Sequence, residues 1–275
     1  MLDEKRVAEL EEKIKKSKEV FKQAYERFKP EEMRLIWSGG KDSTLTVWIC
    51  LRFCEENGLK VPKAFTIDEG DSFEEIEEFL KGYSKEWGIE LDWGRNEDVL
   101  RAAGYKLNAE INVKDLNERN QAEIKRIGFD VEKFPFEAES YIGNHLMKTV
   151  VFNTYLEDNG VKAVFQGIRW DEQPARRNDP YVEEVEASYL IPAHTRFRPI
   201  LHFTERDVWD TILHFKIPFC PLYKQGYRSL GAKSTTVKTS DIPAWEQDLE
   251  HTEERAGRRQ DKEKTMERLR KLGYM

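Results

Sequence analysis

Over the first thirty positions, apolar residues recur near a 3.6-residue period among charges: Val7, Leu10, Ile14, Val20, Phe21, Tyr25 and Phe28. The spacing predicts an amphipathic helix over residues 3–29, stopped by Pro30. A short apolar run, Met33 to Trp37, then reads as a strand, and residues 43–57 read as a helix that is apolar nearly all round, as one buried against a sheet must be. Gly58 ends that helix. Val61 to Asp68 reads as a second strand, followed by a turn at residues 69–72, a helix to Trp87 and a third short strand from Ile89 to Trp93.

Residues 96–139 are polar, of mixed helical character, and carry no assignable chemistry. The pattern resumes with a helix through Tyr141, Ile142, His145, Leu146, Val150, Val151 and Tyr155, which feeds a buried strand from Val161 to Ile168. Phe197 to Ile200 reads as a short extended piece. Thr204 with Asp207 forms a near capping box for a helix through Trp209, Ile212 and Leu213 that ends before Pro218. The tail from Asp241 is charged and helical in pattern.

Strands alternating with helices imply right-handed crossovers and an α/β fold, a parallel twisted sheet flanked by helices. The expected division is an N-terminal helix over 1–30, a nucleotide-binding domain over 31–235, and a charged tail over 236–275 that closes on the site. In such sheets, ligands bind at the carboxyl ends of the strands.

Composition narrows the function. Charged residues are 35% of the chain and apolar ones 39%, with no apolar run long enough to span a bilayer and no basic-then-apolar leader. A net charge of −7 argues against a general electrostatic grip on nucleic acid. Three scattered cysteines, Cys50, Cys54 and Cys220, give no disulfide framework and fit a reducing, cytoplasmic compartment. Cys50 and Cys54, four apart on one helix face, read as small core residues.

The candidate chemistry starts at Ser38-Gly39-Gly40-Lys41-Asp42-Ser43, between the first strand and its helix. A strand that turns through glycines into a helix N-terminus directs backbone N–H groups and the positive dipole end at an anion. Lys41 adds a charge, and Ser38 and Ser43 add hydroxyls. Asp42 needs either Mg²⁺ between itself and a phosphate or N–H groups to hold, so it is the candidate metal ligand. The spacing is not that of a Walker loop. Asp68 ends the second strand beside this loop, facing a nucleotide or capping the next turn. Gly167 lies near the end of the strand at 161–168, and past it stand Arg169, Arg176 and Arg177, placed for bidentate oxyanion binding unless they form a solvated loop. Tyr227 and Arg228 lie in an aromatic, glycine-punctuated loop that looks folded over a ligand. Arg255 and Arg258 either close the site over phosphates or solvate a helix end.

These residues resemble a known group. The loop at 38–43, Ile67-Asp68-Glu69-Gly70, Gly167-Ile168-Arg169, Arg198-Pro199, Thr204-Glu205-Arg206-Asp207-Val208-Trp209 and Pro221-Leu222-Tyr223 through Gly231 are similar to the PP-loop superfamily of PAPS reductase, FAD synthase and the ATP sulfurylase small subunit. The resemblance covers roughly residues 30–235. It implies an adenine nucleotide α-hydrolase-like, Rossmann-like fold, with ATP and Mg²⁺ bound at the loop. Reductases carry a nucleophilic cysteine in a C-terminal Glu-Cys-Gly-Leu-His segment, whereas no cysteine follows Cys220 here. Glu254-Arg255-Ala256-Gly257-Arg258-Arg259, residues 269–275 and Trp170-Asp171-Glu172 are similar to the ATP sulfurylase small subunit, while Glu69 stands where the family usually has threonine.

The expected activity is therefore adenylyl transfer from MgATP to an oxyanion acceptor, favouring sulfate, with release of pyrophosphate. Lys41, Asp42 and Arg169 are the catalytic candidates. Ser38, Gly39, Gly40, Lys41, Asp42, Ser43, Asp68 and Gly167 would bind the nucleotide, and Arg169, Arg176, Arg177, Tyr227 and Arg228 the acceptor. FAD synthesis from FMN, a family member lacking the reductase thiol, and a non-catalytic nucleotide-binding subunit are the alternatives; tRNA thiolation fits the acidic balance less well. A second subunit or a homo-oligomer is the expected assembly.

Overall fold

The computed structural model describes residues 2–257. Helix α1, Glu4–Tyr25, is capped by the Asp3 carboxylate, which accepts from the Arg6 N–H at 2.7 Å, and buries Leu10, Ile14, Val20 and Phe21. It packs on the body of the protein rather than standing apart. Arg6 pairs with Asp207 at 2.8 Å and Asp210 at 2.7 Å, Lys13 with Asp207 at 3.0 Å, and the Phe21 ring lies 4.7 Å from Phe165.

The chain continues through β1 (Met33–Ile36), α2 (Lys41–Asn57), β2 (Lys63–Ile67), α3 (Glu74–Glu86) and β3 (Leu91–Gly94). Next come α4 (Glu97–Ala102), β4 (Glu110–Asn112), α5 (Glu118–Arg126), β5 (Lys133–Pro135), α6 (Tyr141–Asn144) and α7 (Val151–Asp158), then β6 (Ala163–Phe165), β7 (Val182–Val185), β8 (His194–Phe197) and α8 (Glu205–His214). The main sheet has the order β3-β2-β1-β6-β8-β7, parallel throughout except for the antiparallel edge strand β7. From β1 the chain builds outward to β2 and β3 on one side, and the later strands build outward on the other. The crevice between the carboxyl ends of β1 and β6 is thus a topological switch point, where open sheets bind ligands.

Three expectations from the sequence shift. The polar region 96–139 folds as α4, α5 and the antiparallel pair β4–β5 around a core of its own, with Val99, Leu100, Ile111, Ile124, Phe134 and Phe136 packed against Leu146 and Met147. The extended piece at 197–200 lies earlier, at His194–Phe197, because its pairing with both β6 and β7 ends at Phe197. The tail does not run as a helix through 241–257: it holds one short 3-10 turn at Ala244–Glu246 followed by turns. Arg228 takes the carbonyls of Asp248, Leu249 and Thr252, acceptors that a helix would need for its own amides. Arg258 and the motif at 269–275 lie outside the described residues.

No helix among the described residues is long and apolar enough to cross a membrane.

Candidate active site

The loop after β1 forms because two glycines permit it. Gly39 adopts φ +76°, and a Cβ there would stand 2.8 Å from Ile76 Cγ2. Gly40 is the N-cap of α2, which starts at Lys41, two residues earlier than its apolar pattern indicates. The Ser38 and Ser43 hydroxyls stand 3.1 Å apart, and Ser43 donates to the Gly40 carbonyl at 3.0 Å, tying the loop shut. The Lys41 N–H donates to the buried Tyr223 hydroxyl at 2.9 Å. That donor is therefore engaged, which leaves fewer loop N–H groups for a phosphate than the motif promises.

Across the switch point the chain leaves β6 through Gly167. A Cβ on Gly167 would meet the Asp42 carbonyl and the Ser43 N at 2.7 Å, so only glycine lets the β6 loop close against the β1 loop. This contact delivers Arg169. Its guanidinium, wholly buried, bonds the carboxylates of Asp42, Asp171 and Glu254. The Lys41 side chain is 1% exposed and its Nζ lies 2.5 Å from Glu254 Oε1, 3.3 Å from Asp42 and 3.8 Å from Glu205. Two buried cations from loops 128 positions apart in the chain (169 minus 41) thus grip one carboxylate.

The electrostatics follow from burial opposed by pairing. Burial alone would lower the Lys41 ammonium, but Asp42, Glu254 and Glu205 outweigh it and raise its pKa. Burial would raise the Glu254 carboxyl, yet Arg169 and Lys41 hold it well below the carboxylate range. At Asp42 burial prevails over Arg169 and Lys41, and the pKa rises. Glu205 is likewise raised by burial against Lys41 and Arg228. Around the loop, Lys41, Arg169, Arg176, Arg228 and Arg255 face Asp42, Asp171, Glu172, Glu205 and Glu254, one anion for each cation.

A cavity of 280 Å³ opens on this cluster, lined by Ser38, Gly40 to Ser43, Gly167, Glu172, Arg176, Tyr223 and Glu254 together with the apolar Ile36, Ile67, Leu80 and Trp93. The polar and charged lining suits phosphates and the apolar lining a ring. Glu69 lines it too, paired to Lys148 at 2.8 Å.

Other candidates from the sequence fall elsewhere. The Asp68 carboxylate accepts from the Gly70 N–H at 2.8 Å and lies 3.5 Å from Arg95, so it caps the turn beyond the cavity wall. Arg177 is exposed and does not line the cavity, unlike Arg176, whose guanidinium bonds Glu172. Tyr227 packs edge-on against Phe73 at 5.5 Å, and Arg228 pairs with Glu205 at 2.8 Å while clamping the 248–252 carbonyls. Arg255 reaches Glu172 at 3.0 Å. Asp42, the expected metal ligand, is engaged by Lys41 and Arg169, and the described residues contain no cluster of three or more metal-type ligands. Cys50 and Cys54 sit in the core, with the Cys54 thiol 2.9 Å from the Tyr25 hydroxyl.

The sequence reading missed Glu254, Tyr223 and Lys148 as site residues. Glu254 sits inside a run that draws attention to its arginines. Tyr223 lies in the Pro221-Leu222-Tyr223 motif without being singled out there, and nothing in local pattern marks Lys148; both line the cavity.

A parallel sheet with a glycine turn and a buried lysine at its switch point is the α/β architecture of the PP-loop superfamily. The phosphoadenosine phosphosulfate reductase domain family matches residues 32–238, and the chain belongs to that family. It is 32% identical over 93 residues to phosphoadenosine 5'-phosphosulfate reductase of Xylella fastidiosa (strain M12), covering 34% of this chain and 37% of that protein. With sulfate adenylyltransferase subunit 2 of Brucella anthropi it shares 25% identity over 216 aligned residues, covering 70% of this chain and 60% of that one. The chain thus spans little more than a third of the reductase and three-fifths of the sulfurylase subunit. Among solved structures, FMN adenylyltransferase of Candida glabrata shares the fold at a TM-score of 0.64 and 19% identity, covering 93% of this chain and 89% of that one. Phosphoadenylyl-sulfate reductase of Candida auris does so at 0.56 and 17%, covering 86% and 98%. The relatives are enzymes, and the Candida glabrata protein has been solved in complex with ATP.

Proposed function

We propose that this protein transfers an adenylyl group from MgATP to an oxyanion acceptor, with sulfate the favoured acceptor, releasing pyrophosphate. One observation carries this reading: two buried cations, Lys41 and Arg169, converge on a single oxyanion, the Glu254 carboxylate, which lines a cavity walled by both the phosphate loop and apolar side chains. A phosphate or sulfate oxygen has the same charge and the same appetite for paired donors.

In this reading the base and ribose lie toward Ile36, Ile67, Leu80 and Trp93. The helix N-terminus, Ser38, Ser43 and Lys41 hold the β- and γ-phosphates, and Mg²⁺ enters on those phosphates as part of the substrate. Arg169, with Arg176 beside it, orients the acceptor oxyanion behind the α-phosphorus, opposite the leaving pyrophosphate. The acceptor oxygen bonds to the α-phosphorus as the bond to the bridging oxygen breaks, and the electron pair departs on pyrophosphate. Charge neutralisation and alignment are what the residues contribute.

The 70% coverage by the sulfurylase subunit supports sulfate. None of the three cysteines lines the cavity, which supports transfer over thiol-based reduction. Tyr227, packed edge-on against Phe73, does not line the cavity and so offers no stacking face there. The test is pyrophosphate release from MgATP by the purified chain with sulfate, with FMN and with no acceptor. Release with sulfate alone is expected. Release with FMN alone overturns the acceptor, and ATP binding without release under every condition favours a non-catalytic nucleotide-binding subunit.

A further inference from the structure

Glu254 occupies the position that a substrate oxyanion needs. It bonds both Lys41 and Arg169, and no other carboxylate near the loop stands as close to Lys41 Nζ. While it stays there, every cation at the loop end faces an anion, and an incoming phosphate meets a neutral cluster. The segment that carries it is anchored on both sides. Before it, Arg228 holds the carbonyls of Asp248, Leu249 and Thr252, and Arg206 pairs with Glu250 at 2.9 Å. After it, the Gly257 carbonyl accepts from the Val237 N–H at 3.0 Å, where a Cβ on Gly257 would strike the Val237 oxygen at 2.4 Å. Between these anchors Glu254 rides on one turn, closed by the Ala256 N–H on the Glu253 carbonyl at 3.3 Å.

There is room for it to leave. Behind the loop lies a second cavity of 610 Å³, lined by Thr204, Glu205, Arg228, Thr252 and Arg255, and Glu254 and Glu172 form the wall it shares with the nucleotide cavity.

We propose that Glu254 is a built-in competitor for the phosphate site, which sets a threshold of charge for entry. Its carboxylate compensates Lys41 and Arg169 and swings toward the second cavity when a ligand replaces it. A diphosphate or nucleoside triphosphate, with several charges to offer both cations, displaces it. Orthophosphate or sulfate by itself does not gain enough at the loop, so the loop stays closed to the abundant small anions. The segment as a whole stays in place because its anchors do not involve Glu254.

This rests on the phosphate-loop reading above, and the test separates the two. Inorganic pyrophosphate and orthophosphate are titrated by calorimetry into the full chain, its Glu254→Gln variant and its Lys41→Ala variant. Glu254→Gln keeps the shape and removes the competing charge. It is expected to bind pyrophosphate roughly tenfold tighter or more, the effect of deleting one like charge at contact distance, and to gain measurable orthophosphate binding. Unchanged or weaker pyrophosphate binding by Glu254→Gln, with binding lost in Lys41→Ala, overturns the competitor and leaves Glu254 a strut. Pyrophosphate binding unaffected by Lys41→Ala overturns the phosphate-loop reading itself, and the competitor with it. Should Glu254→Gln not fold, hydrogen exchange on the unmodified protein decides: pyrophosphate is expected to speed exchange in 253–256 and leave 248–252 unchanged. No change, or protection, in 253–256 overturns the proposal.

Discussion

Two of the clusters of buried charge among the described residues differ in how they are assembled. One lies among α5, α6 and the π-helical turn His145–Val150 that follows α6. There Glu123, with no exposed side-chain surface, is bonded by His145 Nε2 at 2.9 Å, by Arg126 at 2.8 Å and, at 3.4 Å, by Arg119. Burial lowers the His145 pKa against the pull of Glu123. Its arginines sit three and four residues from Glu123 on the same helix, as surface ion pairs do. The other cluster, at the phosphate loop, draws Lys41, Arg169, Glu205 and Glu254 from four distant segments to the carboxyl edge of the sheet. Burial and perturbed pKa values are common to both. What separates them is that the second opens on a cavity at the topological switch point, whereas neither Glu123 nor His145 lines that cavity. Buried charge by itself marks cohesion; buried charge gathered from afar around a cavity marks chemistry.

Mutations at the two clusters should therefore give opposite results. Lys41→Ala is expected to reduce pyrophosphate release by about 10³-fold or more, the loss seen when a charged group on a transferring phosphate is removed, while circular dichroism shows a retained fold. Full turnover in that variant would remove the distinction. Glu123→Ala should do the reverse: denaturant unfolding is expected to show a loss of about 3 kcal/mol, because the buried His145 ring and the partly buried Arg126 lose their hydrogen-bond partner, with turnover per folded molecule unchanged. A drop in turnover without a drop in stability would make the second cluster functional too.

Acid sharpens the contrast from another side. His194 on β8 donates from Nδ1 to the Pro192 carbonyl at 2.9 Å and accepts at Nε2 from Arg196 at 3.2 Å, so it must be neutral. Burial lowers its pKa from 6.5 to about 4. The unfolded chain then binds the proton first, and stability is full above pH 6.5 and declines toward pH 4, by about 3 kcal/mol. His194→Gln should make the decline shallower in a melting-temperature series over that window, the remainder coming from His202, whose pKa burial also lowers to about 4; an unchanged slope would remove His194 as a contributor. The smallest effect is expected at Arg176, which lines the cavity without being the cation nearest the loop. Arg176→Ala should raise the KM for sulfate about tenfold, roughly 1.4 kcal/mol, with kcat retained. An equal fall in kcat would move Arg176 into the transition state.

Much of the fold and part of the site were legible before any coordinates. The period of Val7 to Phe28 gave α1, and the run 33–37 followed by glycines gave β1, the loop and α2, because local sterics and periodicity act over a few residues. The edge strand β7 escaped, since Val182-Glu183-Glu184-Val185 lacks the apolar continuity that marks a buried strand. The small core of 96–139 escaped because its elements are too short for a period to register.

The residue chemistry of the loop, Ser38 to Ser43, and the arginines after β6 were determined by the sequence, as was the alternation that makes the sheet parallel. Tertiary structure decided which of those groups meet. It paired Arg169 with the loop and left Arg177 in solvent, turned Arg228 from a ligand group into a clamp, and set Glu254 between Lys41 and Arg169. The physical reason is range: turn geometry and helix period are fixed by neighbours in the chain, whereas the partner of a buried charge is chosen by whichever distant segment the close packing of the core carries to it.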